Sequence, residues 1–73
     1  MSEQMEKGQA IAFFLMRAVR DKRTQVGMTQ ADLAEACGVH QSQVSEAERC
    51  IHLPSIALAC AMVDAVGLEV KLR

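Results

Sequence analysis

The stretch Gly27-Met-Thr-Gln-Ala-Asp-Leu-Ala-Glu-Ala-Cys-Gly-Val-His-Gln-Ser-Gln-Val-Ser-Glu-Ala-Glu48 decides how this chain folds. Thr29 is a favourable helix N-cap, since its hydroxyl can accept from an orphan N–H of the first turn. Asp32 stands three residues on, the spacing at which a side chain reaches back to the N–H of the cap. A helix is therefore predicted over 30–37, with Leu33, Ala34 and Cys37 on its buried face. Gly38 follows, and glycine is the favoured residue just past a helix end. A second helix is predicted over 41–49, with Val44 and Ala47 inward and Val39 just before it. Only Cys37-Gly38-Val39-His40 separates the two, so they must turn sharply against each other.

The flanking sequence supplies two further helices. Upstream, Ala12, Leu15, Met16, Val19 and Val26 recur at helical spacing within a segment running from about Glu3 to Val26. Arg17, Arg20, Lys22 and Arg23 lie late in it, where cations suit the negative end of the helix dipole. Downstream, Pro54 blocks any helix running through from upstream, and Ser55 caps a new one that reaches about Val66 and stops at Gly67. Ile56, Ala59, Cys60, Val63 and Val66 form its predicted inward stripe. Leu58, Met62 and Ala65 form a second apolar stripe on another face. Met16, Met28 and Met62 read as core filler. The tail Leu68-Glu69-Val70-Lys71-Leu72-Arg73 alternates apolar and charged residues, which is strand periodicity over about 68–72. A lone strand cannot satisfy its own backbone, so this one needs a partner strand.

Composition bounds what such a chain can do. Its 73 residues suit a single domain over 1–73, with no room for a Rossmann unit, a barrel or a separate sensor. Lys+Arg 8 against Asp+Glu 9 gives a net charge of −1, which excludes a strongly basic coat but not a local basic patch. The 51% hydrophobic content excludes a disordered chain. No apolar run is long enough to span a bilayer, so no membrane partner is expected. The start MSEQMEKG lacks the features of a secretory signal, which points to the cytoplasm. Cys37, Cys50 and Cys60 read as small buried hydrophobes in a reducing compartment. Cys37, His40, Cys50 and His52 are the right types for zinc, but their C-x-x-H and C-x-H spacings match no zinc pattern, so no metal is expected. His40, Ser42 and Ser45 make no hydrolytic constellation, and no enzyme activity is expected.

Two short helices across a tight turn containing glycine form the helix-turn-helix layout. In that layout the first helix braces against a phosphate backbone while the N-terminal residues of the second enter the major groove. Here those residues are Gln41, Ser42 and Gln43, with Ser45 and Glu46 on the next turn. Glutamine can bond an adenine edge bidentately, serine suits several bases, and a carboxylate can accept from cytosine N4. None of these side chains packs a core, and a plain helical pair would not call for so many uncharged polar residues at one helix start.

At this point the chain resembles the Xre/Cro family of phage and bacterial repressors. The resemblance covers Val19 to Leu68 and rests on the lead-in VRDKRTQVG, on TQADLAEACGV, on QSQVSEAE and on the later PS…VGL segment, in that order and spacing. It implies an all-α, four- to five-helix lambda-repressor-like helix-turn-helix domain with a short C-terminal β-strand. The motif would occupy about 29–49. It also implies that Gln41, Ser42, Ser45 and Glu46 read bases, and that Thr29, Gln30 and Gln43 meet the DNA backbone, with Arg20 and Arg49 as further backbone contacts. Arg23 and Glu48 match an Arg–Glu pair that ties the first helix to the recognition helix in some members. This chain departs from the family pattern in three places. Glu46 stands where the family often has a basic or amide residue, Cys50 takes a place often held by glycine, and Ile51-His52 replaces a loop that is often basic. Asp32, Glu35, Glu46 and Glu48 are the charged residues between Thr29 and Glu48, with no Lys or Arg among them.

Assembly follows from leftover apolar surface. A helix apolar on most sides is buried on most sides, and in so small a domain its second face must meet another chain. Phe13 and Phe14 are adjacent on a helix and point about 100° apart, so one faces outward. With the unpaired tail, these features predict a homodimer whose interface includes Phe13, Phe14, Leu58, Met62, Leu68, Val70 and Leu72. The expected partners are double-stranded DNA with a palindromic operator and a second copy of the chain, with no cofactor and no small-molecule ligand. The layout also resembles antitoxins that repress their own operon and bind a toxin. The alternative is a protein-interaction module of the same fold that has lost DNA binding, supported by the acidic recognition segment.

Overall fold

The computed structural model describes the backbone of residues 3–69 and the side chains from Ala10 to Glu69. Four helices follow one another: α1 (Glu3–Gln25), α2 (Gln30–Cys37), α3 (Gln41–Glu48) and α4 (Ile56–Ala65). The architecture is all-α, with no strand among the described residues. Leu68 and Glu69 take no regular structure, and the rest of the predicted tail strand, including Val70 and Leu72, lies outside the described residues.

α2 packs against α3 and α4, and α1 crosses behind α3 and α4. The core at their junction draws on every helix: Met16 and Val19 from α1, Leu33 and Ala34 from α2, Val44 and Ala47 from α3, Met62 from α4, and Val66 just after it. Burying each of the larger side chains contributes about 1.5–3 kcal/mol, the main term holding so small a domain together.

All four helices stop the same way. An N–H just past each end donates back to a carbonyl five residues earlier: Met28 to Arg23 at 2.9 Å, Val39 to Ala34 at 3.0 Å, Ile51 to Glu46 at 2.9 Å and Leu68 to Val63 at 3.0 Å. This closure needs a left-handed residue at the turn. Gly38 supplies it after α2 with φ 71. After α3 the same place is held by Cys50 at φ 60, the one non-glycine residue with positive φ among those described. A Cβ in that conformation costs roughly 1–2 kcal/mol. Cys50→Gly removes this strain, loses a half-buried side chain and frees the unfolded chain. The net expectation is a gain of up to about 1 kcal/mol, read as a higher urea midpoint at unchanged slope. A lower midpoint would show that the packing of Cys50 outweighs its strain.

Several apolar residues lie elsewhere than expected. Val26 is 53% exposed rather than inward, because α1 ends before it and the chain turns away. On α4, Ile56 is 83% exposed and Cys60 is exposed, whereas Met62 and Val66 are buried. The buried seam therefore runs between the two predicted stripes, through Leu58, Ala59, Met62, Val63 and Val66. With apolar residues nearly all round, periodicity does not define the rotation of α4, and packing on α1 and α2 sets it instead. Met62 is thus a core residue and is removed from the predicted dimer surface. The cysteines are not uniformly buried either: Cys37 and Cys50 are half-buried, and Cys60 is exposed beside an apolar groove of about 590 Å³ between α1 and α4. Burial pushes the Cys37 thiol up, since it disfavours the thiolate.

Candidate nucleic-acid interface

The site is built on two capped helix starts. At α2, the Asp32 N–H donates to Thr29 Oγ1 at 3.0 Å, and the Thr29 N–H donates to Asp32 Oδ2 at 3.0 Å. The bonds from Thr29 hold the Asp32 carboxyl below its usual range, because they favour its charged form. At α3, His40 has extended backbone at the cap, and its N–H donates to Gln43 Oε1 at 3.1 Å. The Gln43 carbonyl is thereby occupied, while its amide N–H groups stay available to a phosphate oxygen. The cap satisfies the Asp32 N–H, and the Gln43 N–H donates to the His40 carbonyl at 3.0 Å, whereas the earlier N–H groups of each first turn have no intrahelical partner.

The first turn of α3 presents Gln41, Ser42 and Gln43, all exposed, with Ser45 and Glu46 half-buried behind them. Directly opposite, Val44 is 0% and Ala47 1% exposed, so this short helix is anchored by its apolar face while its polar face stays open. The exposed side chains carry donors and acceptors but no charge, which suits reading base edges rather than binding phosphate non-specifically.

Behind this face lies a buried ion pair. Arg23 Nε donates to Glu48 Oε2 at 2.7 Å and Arg23 Nη2 donates to Glu48 Oε1 at 2.9 Å, a bidentate arrangement with side chains 10% and 1% exposed. Arg23 Nη1 donates to the Met28 carbonyl at 2.8 Å. Gln30 Nε2 donates to Glu48 Oε1 at 3.1 Å. The hydrogen bonds to Glu48 raise the Arg23 pKa above its ordinary value, against an opposing contribution from burial. No buried side-chain nitrogen or oxygen among the described residues lacks a partner. The pair thus joins α1 to α3, and Gln30 joins α2 to α3.

The remaining predicted residues divide by place. Thr29 is exposed and Gln30 half-buried at the start of α2. Arg20 and Arg49 are exposed and gather with Arg17, Phe13 and Phe14 around an open groove of about 620 Å³ that also reaches Cys50 and Glu48. Of the predicted interface set, Phe13 is 40% and Phe14 78% exposed, Leu58 and Leu68 are half-buried against the core, and Met62 is fully enclosed. Sequence reasoning missed the Gln30–Glu48 bond, since the two are eighteen residues apart and nothing local couples them. It also missed the groove between α1 and α4.

A helix-turn-helix family model matches residues 19–72, which spans α2, the turn, α3 and α4. No curated protein and no solved structure matches the chain. With both helix starts capped, the turn closed at Gly38 and the family match covering most of the sequence, the chain belongs to the Xre/Cro-type helix-turn-helix family of DNA-binding regulators.

Proposed function

We propose that this protein is a sequence-specific transcriptional repressor that binds a palindromic double-stranded operator as a homodimer. The observation that carries this reading is the open, uncharged first turn of α3, with Gln41, Ser42 and Gln43 exposed while Val44 and Ala47 anchor the helix. Gln41, Ser42, Ser45 and Glu46 read bases, Glu46 by accepting from a cytosine amine. Thr29, Gln30, Gln43, Arg20 and Arg49 meet the sugar-phosphate backbone. Three exposed guanidiniums, at Arg17, Arg20 and Arg49, lie together beside α3 and can offset the acidic residues of the motif. Repression of its own operon, as an antitoxin that also binds a toxin, is the regulatory form proposed, following the resemblance to such antitoxins.

Gln41→Ala is expected to weaken binding to a duplex selected by the wild-type protein by about 1–3 kcal/mol and to relax preference at one base position. Fluorescence anisotropy on selected and random duplexes measures both. Equal losses on the two would remove Gln41 from base reading. A wild-type chain that selects no duplex would favour the interaction-module reading, for which the carboxylates of Glu35 and Glu46 offer an acidic face.

The dimer is proposed to close through antiparallel pairing of the tail with its copy, covered by Leu58 and Ala65 of the second apolar stripe of α4 and by one of Phe13 and Phe14. The twofold axis then places the recognition helices about 34 Å apart, one DNA turn. Deleting residues 69–73, which spares the core-packed Leu68 and its bond to the Val63 carbonyl, should leave a folded helix-turn-helix that dimerises weakly and binds operator poorly. Sedimentation of the truncated protein as a full dimer at micromolar concentration would show that the clasp lies elsewhere.

A further inference from the structure

The two members of the buried ion pair hold opposite sides of the same helix start. Arg23 donates to the carbonyl of Met28, the residue before the Thr29 cap. Glu48 accepts from the side chain of Gln30, the residue after it. Glu48 belongs to α3, the helix that presents Gln41 to Gln43. One carboxylate therefore connects the start of α2 to the recognition helix.

The chemistry of that connection is directional. An ionised carboxylate only accepts hydrogen bonds, so it decides which end of the Gln30 amide turns toward it. Nε2 faces Glu48 through one N–H, and its second N–H is left to donate elsewhere. Glu48 already receives Nε and Nη2 of Arg23, so its charge is balanced and does not repel an anion approaching Gln30. Without the carboxylate the Gln30 side chain would sample several rotamers, and ordering it on binding would cost entropy.

We propose that Glu48 is a positioning residue for DNA: acting through Gln30, it holds a backbone-phosphate donor of α2 in register with the base-reading turn of α3. This rests on the DNA-binding reading above and adds to it a residue that itself touches no DNA. Glu48 is 7% exposed, its side chain only 1%, with the carboxylate taken up by Arg23 and Gln30. Its influence passes through one hydrogen bond.

The test is a cycle of variants on a duplex selected from a random pool by the wild-type protein, with a random-sequence duplex alongside. The variants are Gln30→Ala, the double variant Arg23→Met/Glu48→Leu, and the combination of all three. Replacing a buried ion pair by apolar side chains of similar length is often neutral or stabilising, so the double variant separates fold stability from positioning. Gln30→Ala is expected to weaken selected-duplex binding about tenfold in the wild-type background. The double variant should lose a similar amount while melting no lower than wild type. In that background Gln30→Ala should then cost little more, because Gln30 has already lost its anchor. An equal cost of Gln30→Ala in both backgrounds would overturn the proposal while leaving the DNA-binding reading intact. If wild type binds neither duplex, that reading falls and the proposal with it. Should the double variant fail to fold, the Gln30 side-chain amide of the wild type supplies the answer by NMR. The Nε2 proton held by Glu48 should lie downfield of the free-glutamine position and exchange slowly with water in the free protein, and the other proton should shift on adding DNA. Free-glutamine positions for both protons, or no change on adding DNA, would also overturn the proposal.

Discussion

Glu48→Ala is expected to destabilise the domain by about 3–5 kcal/mol. The cost comes less from the lost attraction than from what remains. Arg23 would stay 8% exposed with its Nε and Nη2 groups unpartnered, since only its bond to the Met28 carbonyl does not involve Glu48. A buried guanidinium with no counter-charge must draw in water or drag α1 away from α3, and either disturbs the core that Val19 of α1 and Val44 of α3 share. A domain of this length has a total stability of only several kcal/mol, so this single truncation removes much of it. Urea unfolding followed by circular dichroism measures the loss. The comparison with Arg23→Met/Glu48→Leu is decisive: a severe loss in the single variant with near-wild-type stability in the double is the signature of an orphaned charge. Equal losses in both would show that the ion pair itself stabilises the fold.

Met62→Ala is expected to cost about 2–5 kcal/mol, and Ile56→Ala no more than about 0.5 kcal/mol. The two residues lie on one short apolar helix, yet Met62 is 0% exposed and Ile56 is 83% exposed. Truncating Met62 opens a cavity in the core it shares with Met16, Leu33 and Val44, where no solvent can compensate. Truncating Ile56 removes a methyl-rich side chain from the rim of an open groove. Thermal unfolding of both variants at two protein concentrations separates folding from assembly. If Met62→Ala instead leaves the monomer stable and lowers the dimerisation constant, the placement of α4 in the core is wrong.

Local chemistry made α2 and α3 legible in the amino-acid sequence. Thr29 with Asp32 defines one helix start, Gly38 defines its end, and the predicted 30–37 span coincides with α2. The start of α3 and the Ser55 cap of α4 follow from similar short-range rules, which act within four residues and need no tertiary context. The open polar face of α3 was legible for the same reason, since Val44 and Ala47 leave Gln41, Ser42 and Gln43 no place in a core.

What lay beyond the sequence was set by contacts between distant residues. The rotation of α4 was undetermined because Leu58, Met62, Ile56 and Cys60 are all apolar, so no face is excluded from the core by its chemistry. Only packing against α1 and α2 selects Met62 over Ile56. The Arg23–Glu48 partnership could be named through family resemblance, but its bidentate geometry, its burial and its bond to Gln30 exist only once α1, α2 and α3 converge. Residues paired across eighteen and twenty-five positions leave no periodic trace, because periodicity records which face a side chain occupies and not which partner waits there. The left-handed turn at Cys50 belongs to both levels. Its place in the sequence is one that the family often gives to glycine, and the strain it carries accompanies the Ile51-to-Glu46 bond that closes the end of α3.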